Sequence, residues 1–200
     1  MSNYPEYVII DNEKYDIDTD FRVAIECNRI AEDETISDFE RALAIIYTLF
    51  GDKGIDTPKH HEKLLKMAKN YLSCGKEIEY DKNEKPDMDY IQDMDYIEAS
   101  FMSDYHIDLS TIKMHWWKFN KLINGLSNSE FGNCCVLNRV RNLRNYDTKE
   151  IKDSKERRKI EEAKKQVALK QHKKEPTEEQ KKSAEGFYKA LNIGKEWWYD

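Results

Sequence analysis

A mainly α fold is what this chain predicts: a compact multi-helix domain with a short N-terminal β-hairpin and a long charged C-terminal helical extension. Three observations carry that prediction. Apolar residues recur at helical spacing, most clearly Ile112, Trp116, Phe119, Ile123 and Leu126 at i, i+4, i+7, i+11 and i+14. The chain is 36% charged and holds only seven glycines and four prolines in 200 residues, a balance that suits helices better than a β-sandwich. Only near the amino terminus do two short apolar runs flank a polar turn.

Taken in order, Tyr7–Ile10 and Tyr15–Ile17 around Asp11-Asn12-Glu13-Lys14 predict the hairpin. Asp18, Thr19 or Asp20 can cap a helix carrying Phe21, Ala24, Ile25 and Ile30. Ser37 and Glu40 form a capping-box pair ahead of a stripe of Phe39, Leu43, Ile46 and Phe50, which Gly51 and Gly54 end. Thr57-Pro58 opens a third helix with Leu64, Leu65, Ala68, Tyr71 and Leu72 inward. After an acidic loop over 75–87, a helix is expected from Met88 with Tyr90, Met94, Ile97, Phe101 and Tyr105 on one side. The tryptophan helix follows, capped by Ser110 or Thr111. A helix over 131–145 then carries Val136, Val140 and Leu143 inward and Arg139, Arg141 and Arg144 outward. Past Tyr146 the stretch 148–171 is helix-prone but bears only a thin stripe, Ile151, Ile160, Ala163 and Val167, and so needs a partner surface. Pro176-Thr177 restarts a shorter helix before the aromatic tail Trp197-Trp198-Tyr199. The division expected is a core domain over 1–146 and an extension over 147–200.

Charge and cysteine usage narrow the class. The net charge is −6, yet Lys149–Lys182 carries 13 basic and 8 acidic residues, leaving the remainder strongly acidic. The mixed signs in that segment favour a solvated helix face over a nucleic-acid tract. Cys27, Cys74, Cys134 and Cys135 form no CxxC and no zinc spacing with histidine, so a reduced, cytoplasmic setting is expected. The first residues lack a basic region followed by an apolar run, and no apolar stretch approaches about eighteen residues, so neither a secretory signal nor a membrane span is expected.

Catalytic and metal motifs are tested against plainer readings. His60-His61 reads as a surface pair, and Asp87, Asp89, Asp93 and Asp95 read as a solvated acidic face because no calcium-loop glycine accompanies them. His115 has no dyad partner nearby in sequence; capping or bonding the Ile107-Asp108-Leu109 turn is its expected job. No phosphate-binding or nucleophile-elbow motif occurs, so no cofactor, no metal and no enzymatic activity are expected. Asp108 is expected to accept backbone amides at the start of the tryptophan helix, with Arg22 and Arg141 as ion-pair candidates for Asp108 or Asp20. Trp116 belongs to the core. Trp117, about 100° further round the helix, is either a lid over the core or an exposed anchor for a partner.

Several motifs occur together: Tyr15-Asp16-Ile17-Asp18-Thr19-Asp20-Phe21-Arg22, Asp95-Tyr96-Ile97 with Phe101, Tyr105-His106-Ile107-Asp108-Leu109, His115-Trp116-Trp117-Lys118-Phe119, and Arg141. In that order they resemble the bacteriophage Gp-fifteen family of tail-morphogenesis modules in long-tailed phages of Gram-positive bacteria. The resemblance spans roughly 7–146, with His106 standing where glycine is expected and Met114 where leucine is. It implies a tail assembly chaperone that coats the tape-measure protein, in the cytoplasm of an infected or lysogenic host. Trp117, Ile151, Ile160, Ala163, Val167, Trp197 and Trp198 are the partner-binding candidates; Phe21, Arg22, Asp108, His115, Trp116, Phe119 and Arg141 are the structural motif. The rivals are a structural component of the virion, in the tail or head–tail joint, and a nucleic-acid-binding regulator, which the acidic balance disfavours. A homo-oligomer is compatible with either of the first two.

Overall fold

The computed structural model describes residues 4–77, 86–128, 134–149 and 151–170. They fall into two units: 4–77 with 113–120, and 86–112 with 121–128, 134–149 and 151–170. The described residues are mainly α-helical, with one two-stranded sheet at the amino terminus, as the sequence predicts.

In the first unit β1 (Tyr7–Ile10) pairs antiparallel with β2 (Glu13–Asp16), Tyr7 opposite Asp16 and Ile10 opposite Glu13. Asp11 and Asn12 take left-handed φ angles of 49° and 67°, the two-residue turn whose twist matches the strands. Alternation turns Ile10 and Tyr15 inward and leaves Tyr7 and Ile9 exposed. Helix α1 (Phe21–Ala31) is capped by Asp20, whose carboxylate accepts the Arg22 amide, and buries Phe21, Ala24, Ile25 and Ile30 as expected. It also buries Cys27, and that burial pushes the thiol up to about 12.

Helix α2 (Asp38–Ile55) opens on the expected capping box between Ser37 and Glu40. Its inward side differs from the expected stripe. Ala42, Ile45, Ile46, Leu49 and Phe50 are buried, whereas Leu43 is only half-buried and Phe39 is 44% exposed. Both stripes share Ile46 and Phe50; packing against α1 and against the next helix selects the face. Gly51 does not end α2 but kinks it, with φ 65° and ψ −162°. A 3-10 turn (Pro58–His60) then leads into α3 (His61–Leu72), which buries Leu64, Leu65, Ala68 and Tyr71.

The histidine pair is not a surface pair. His60 is buried, with Nδ1 2.7 Å from the Tyr15 hydroxyl and Nε2 3.2 Å from an Asp11 carboxylate oxygen. It ties the hairpin turn and β2 to the start of α3. His61 Nε2 lies 3.0 Å from the Ile55 carbonyl.

In the second unit α4 (Met94–Tyr105) begins six residues later than expected. Asp89 accepts the amides of Ile91 and Gln92, a local arrangement that competes with helix. Ile97 and Phe101 are fully buried on its inner side. Helix α5 (Trp116–Asn124) places its first five residues in the first unit and the rest in the second. Helix α6 (Val136–Asn145) buries Leu137, Asn138 and Val140 and packs on α4, and α7 (Ser154–Val167) packs on α6.

Three further readings are corrected here. The aspartates over 87–95 are not all solvated: Asp93 is 1% exposed and is paired with Arg144 at 2.7 Å through both its oxygens. Arg144, 10% exposed, also donates to the carbonyls of Val167 and Asp87, so it points inward rather than outward. Arg141 likewise turns to Asp87 at 3.0 Å, not to Asp108 or Asp20. The expected start of this helix near Phe131, the helix after Pro176, and Trp197 and Trp198 lie outside the described residues.

Candidate partner-binding site

Two sequence motifs far apart along the chain, 15–22 and 115–119, meet in the first unit. Residues 114–116 run antiparallel to 19–21: Phe21 donates its amide to Met114 and Trp116 donates its amide to Thr19, at 2.9 and 2.8 Å. That pairing keeps 114 and 115 out of the helix, so α5 starts at Trp116 rather than after Ser110 or Thr111. His115 supplies the cap. Its Nδ1 accepts the Trp117 amide at 3.0 Å, which leaves Nε2 to carry the proton donated to the Pro5 carbonyl at 3.0 Å. Both ring nitrogens are therefore taken by backbone, and the ring itself stacks on Tyr4 with centroids 4.9 Å apart. His115 thus caps α5 and does not cap or bond the Ile107-Asp108-Leu109 turn expected for it.

The adjacent tryptophans share one structural task. The Trp116 indole N–H donates to the Leu72 carbonyl and the Trp117 indole N–H to the Tyr71 carbonyl, each at 2.9 Å. Both carbonyls stand at the end of α3, where helical bonding runs out, and that of Tyr71 also accepts the Cys74 amide at 3.0 Å. Trp116 is buried and stacks on Phe119, which stacks on Phe21 at 4.5 Å with planes 11° apart. Trp117 is half-buried, stacked on Tyr71 at 6.3 Å. Gly75, at φ 71°, lets the chain leave α3 past it: a Cβ there would stand 3.3 Å from the indole. Trp117 is thus a lid with one open side. Beneath it the Tyr71 hydroxyl is buried without a hydrogen-bond partner among the described residues, and burial raises its pKa.

Arg22 pairs with Asp20 at 3.1 Å, one of the two carboxylates proposed for it. Asp108 accepts the amide and hydroxyl of Ser110, at 2.9 and 2.6 Å, within its own turn and well before α5. The Ser110 hydrogen bonds hold the Asp108 carboxyl below its ordinary value.

The second candidate surface is α7. Asp153 caps it by accepting the amides of Lys155 and Glu156, and no residue of the helix is buried. Ile160, Ala163 and Val167 are half-buried, as is Ile151 ahead of it. Its anchoring is mostly polar: Lys164 donates to the Tyr146 carbonyl, and Arg144 donates to the Val167 carbonyl at 2.6 Å. Lys155, Arg157 and Lys159 on the same helix are exposed.

Sequence reasoning missed the Asp93–Arg144 pair, the His60 contacts and the outward side of α2. The buried partners lie 51 and 45 residues apart, and no local period marks such pairs. Among the described residues no group of three or more His, Cys, Asp or Glu side chains is placed to hold a metal ion, and no helix is long and apolar enough to cross a membrane.

The family model described as Bacteriophage Gp15 protein matches residues 2–169. No curated protein and no solved structure matches the chain.

Proposed function

The chain belongs to the bacteriophage Gp15 protein family, and from that membership we propose that it is a non-enzymatic tail-morphogenesis factor. Its role in this reading is that of a tail assembly chaperone, holding the tape-measure protein in the host cytoplasm before the tail polymerises. The observation that supports the reading is α7, a charged helix whose only apolar stripe, Ile160, Ala163 and Val167, is left half-exposed. A helix that buries so little contributes little to its own fold, and helix-on-helix contact with a second chain would cover the stripe. The half-buried Trp117 supplies an aromatic rim of the type enriched among interface hot spots. The net charge of −6 would help keep a complex with an apolar client dispersed.

The test is co-expression of the full chain with the tape-measure protein of the same phage, followed by pull-down and a solubility comparison. Tape-measure protein that is soluble only alongside this chain, and is lost when Ile160 and Val167 are both replaced by Asp, is the expected result. Absence of binding and rescue, with the chain recovered in purified particles instead, would move the assignment to a virion component.

A further inference from the structure

We propose that α7 is a releasable strap: in the free chain it lies on α6 along its own client-binding stripe, and it lifts to expose that stripe without disturbing the structure beneath. The strap follows from geometry within the second unit, and its purpose rests on the chaperone reading. Ile160, Ala163 and Val167 stand at i, i+3 and i+7, and with Lys164 they are the only residues of α7 that are not exposed. The helix packs on α6, so the half-buried stripe is the side it turns to that neighbour. The surface a client helix would take is therefore already partly covered by the chain itself. A docked helix that buries no residue belongs to the least stable part of a fold and opens locally.

What holds α7 down is a set of polar contacts that water can replace. Gln92 brackets Lys170 just beyond the helix: its side-chain oxygen accepts the Lys170 amide at 2.8 Å and its side-chain nitrogen donates to the Lys170 carbonyl at 3.2 Å. Lys164 donates to the Tyr146 carbonyl, and Arg144 Nε donates to that of Val167 at 2.6 Å. The Gln92 and Lys164 bonds are exposed, and release strands no charge. Arg144 keeps both carboxylate oxygens of Asp93 and the Asp87 carbonyl through Nη1 and Nη2, so the buried pair is complete without α7. Lifted off, a helix of 14 residues is marginal by itself, and a client helix laid along the stripe would restore the support that α6 gave.

Hydrogen–deuterium exchange on the full chain, read by mass spectrometry, tests the strap without any client. Amides over 157–167 should exchange at least about tenfold faster than those over 97–105 in α4, yet at least about tenfold slower than an unstructured chain. Gln92→Ala with Lys164→Ala should speed exchange over 157–167 at least about fivefold and leave 97–105 unchanged. In the co-expression pull-down the same variant should retain at least about threefold more tape-measure protein, because a larger fraction of it stands open. Equal exchange over 157–167 and 97–105 would make α7 part of the core, and exchange at the unstructured rate would leave nothing to release. Unchanged exchange in the variant would place the hold elsewhere. Each of these overturns the proposal, and looser exchange with no gain in retained client would overturn the shielding role. If neither form retained client, the chaperone reading would fall while the exchange pattern still decided the strap.

Discussion

Distant segments meet in both units, but by different physics. In the first unit the junction between α1, α3 and the start of α5 is aromatic and electrically neutral. Phe21 lies on Phe119, Trp116 on Phe119, and two indole N–H groups close the end of α3. In the second unit the ends of α6 and α7 are gathered around one ion pair, Asp93 with Arg144, from which water is almost wholly removed. A neutral ring cluster loses its contacts piecemeal when one member is trimmed. A desolvated pair does not, because removing one charge strands the other. The second unit therefore concentrates its vulnerability at one contact, while the first spreads it over several.

The largest effect should come from breaking that contact. Arg144→Met leaves Asp93 buried without its countercharge and is expected to cost about 3–5 kcal/mol in chemical unfolding, whereas replacing both partners by apolar residues should recover much of it. A loss under about 1 kcal/mol would mean the pair is solvated, and the contrast between the units would fail. Next in size is Trp117→Phe, which keeps a ring over Tyr71 but removes one of the two N–H donors to its carbonyl, the Cys74 amide remaining at 3.0 Å; about 0.5–1.5 kcal/mol is expected by thermal melting. His106 ends α4 in the left-handed region at φ 55°, the residue that stands where the resembled family is expected to carry glycine. His106→Gly should therefore stabilise the chain by up to about 1 kcal/mol, read as a rise in melting temperature. The smallest change expected is Tyr71→Phe, neutral or slightly stabilising, because the hydroxyl it removes has no partner to lose. If Tyr71→Phe were as costly as Trp117→Phe, the hydroxyl would have to hold a bond outside the described residues.

What the sequence made legible was local. The inward residues of α1 and α3, the Ser37–Glu40 box and the hairpin follow from spacing and capping rules that act within a few positions. The side α2 turns inward was not legible, since its apolar residues cover more than one stripe and only the neighbouring helices choose between them. Nor could spacing announce that the tandem tryptophans close α3: the acceptors are backbone carbonyls 44 and 46 residues away, identical in chemistry to every other carbonyl. The partners of His115, the Trp117 amide and the Pro5 carbonyl, were not legible, because the helix was expected to begin at Ser110 or Thr111, ahead of it. The fate of Arg144 was not legible either, since an arginine on a polar helix edge reads as solvated until the buried carboxylate is known.

The kink in α2 carries one consequence for chemical synthesis. Nothing lies within 4 Å of a Cβ built on Gly51, whereas one on Gly54 would stand 2.9 Å from both Ile46 and Phe50. The two glycines, three positions apart, exclude side chains for unrelated reasons, one of angle and one of volume. Handedness separates them. A residue of inverted chirality finds φ 65° and ψ −162° at position 51 to be the mirror image of an ordinary extended backbone. D-alanine should be accommodated at 51, where L-alanine is strained. At 54 the backbone is right-handed helix with negative φ, so a D-residue exchanges the crowding for a strained angle.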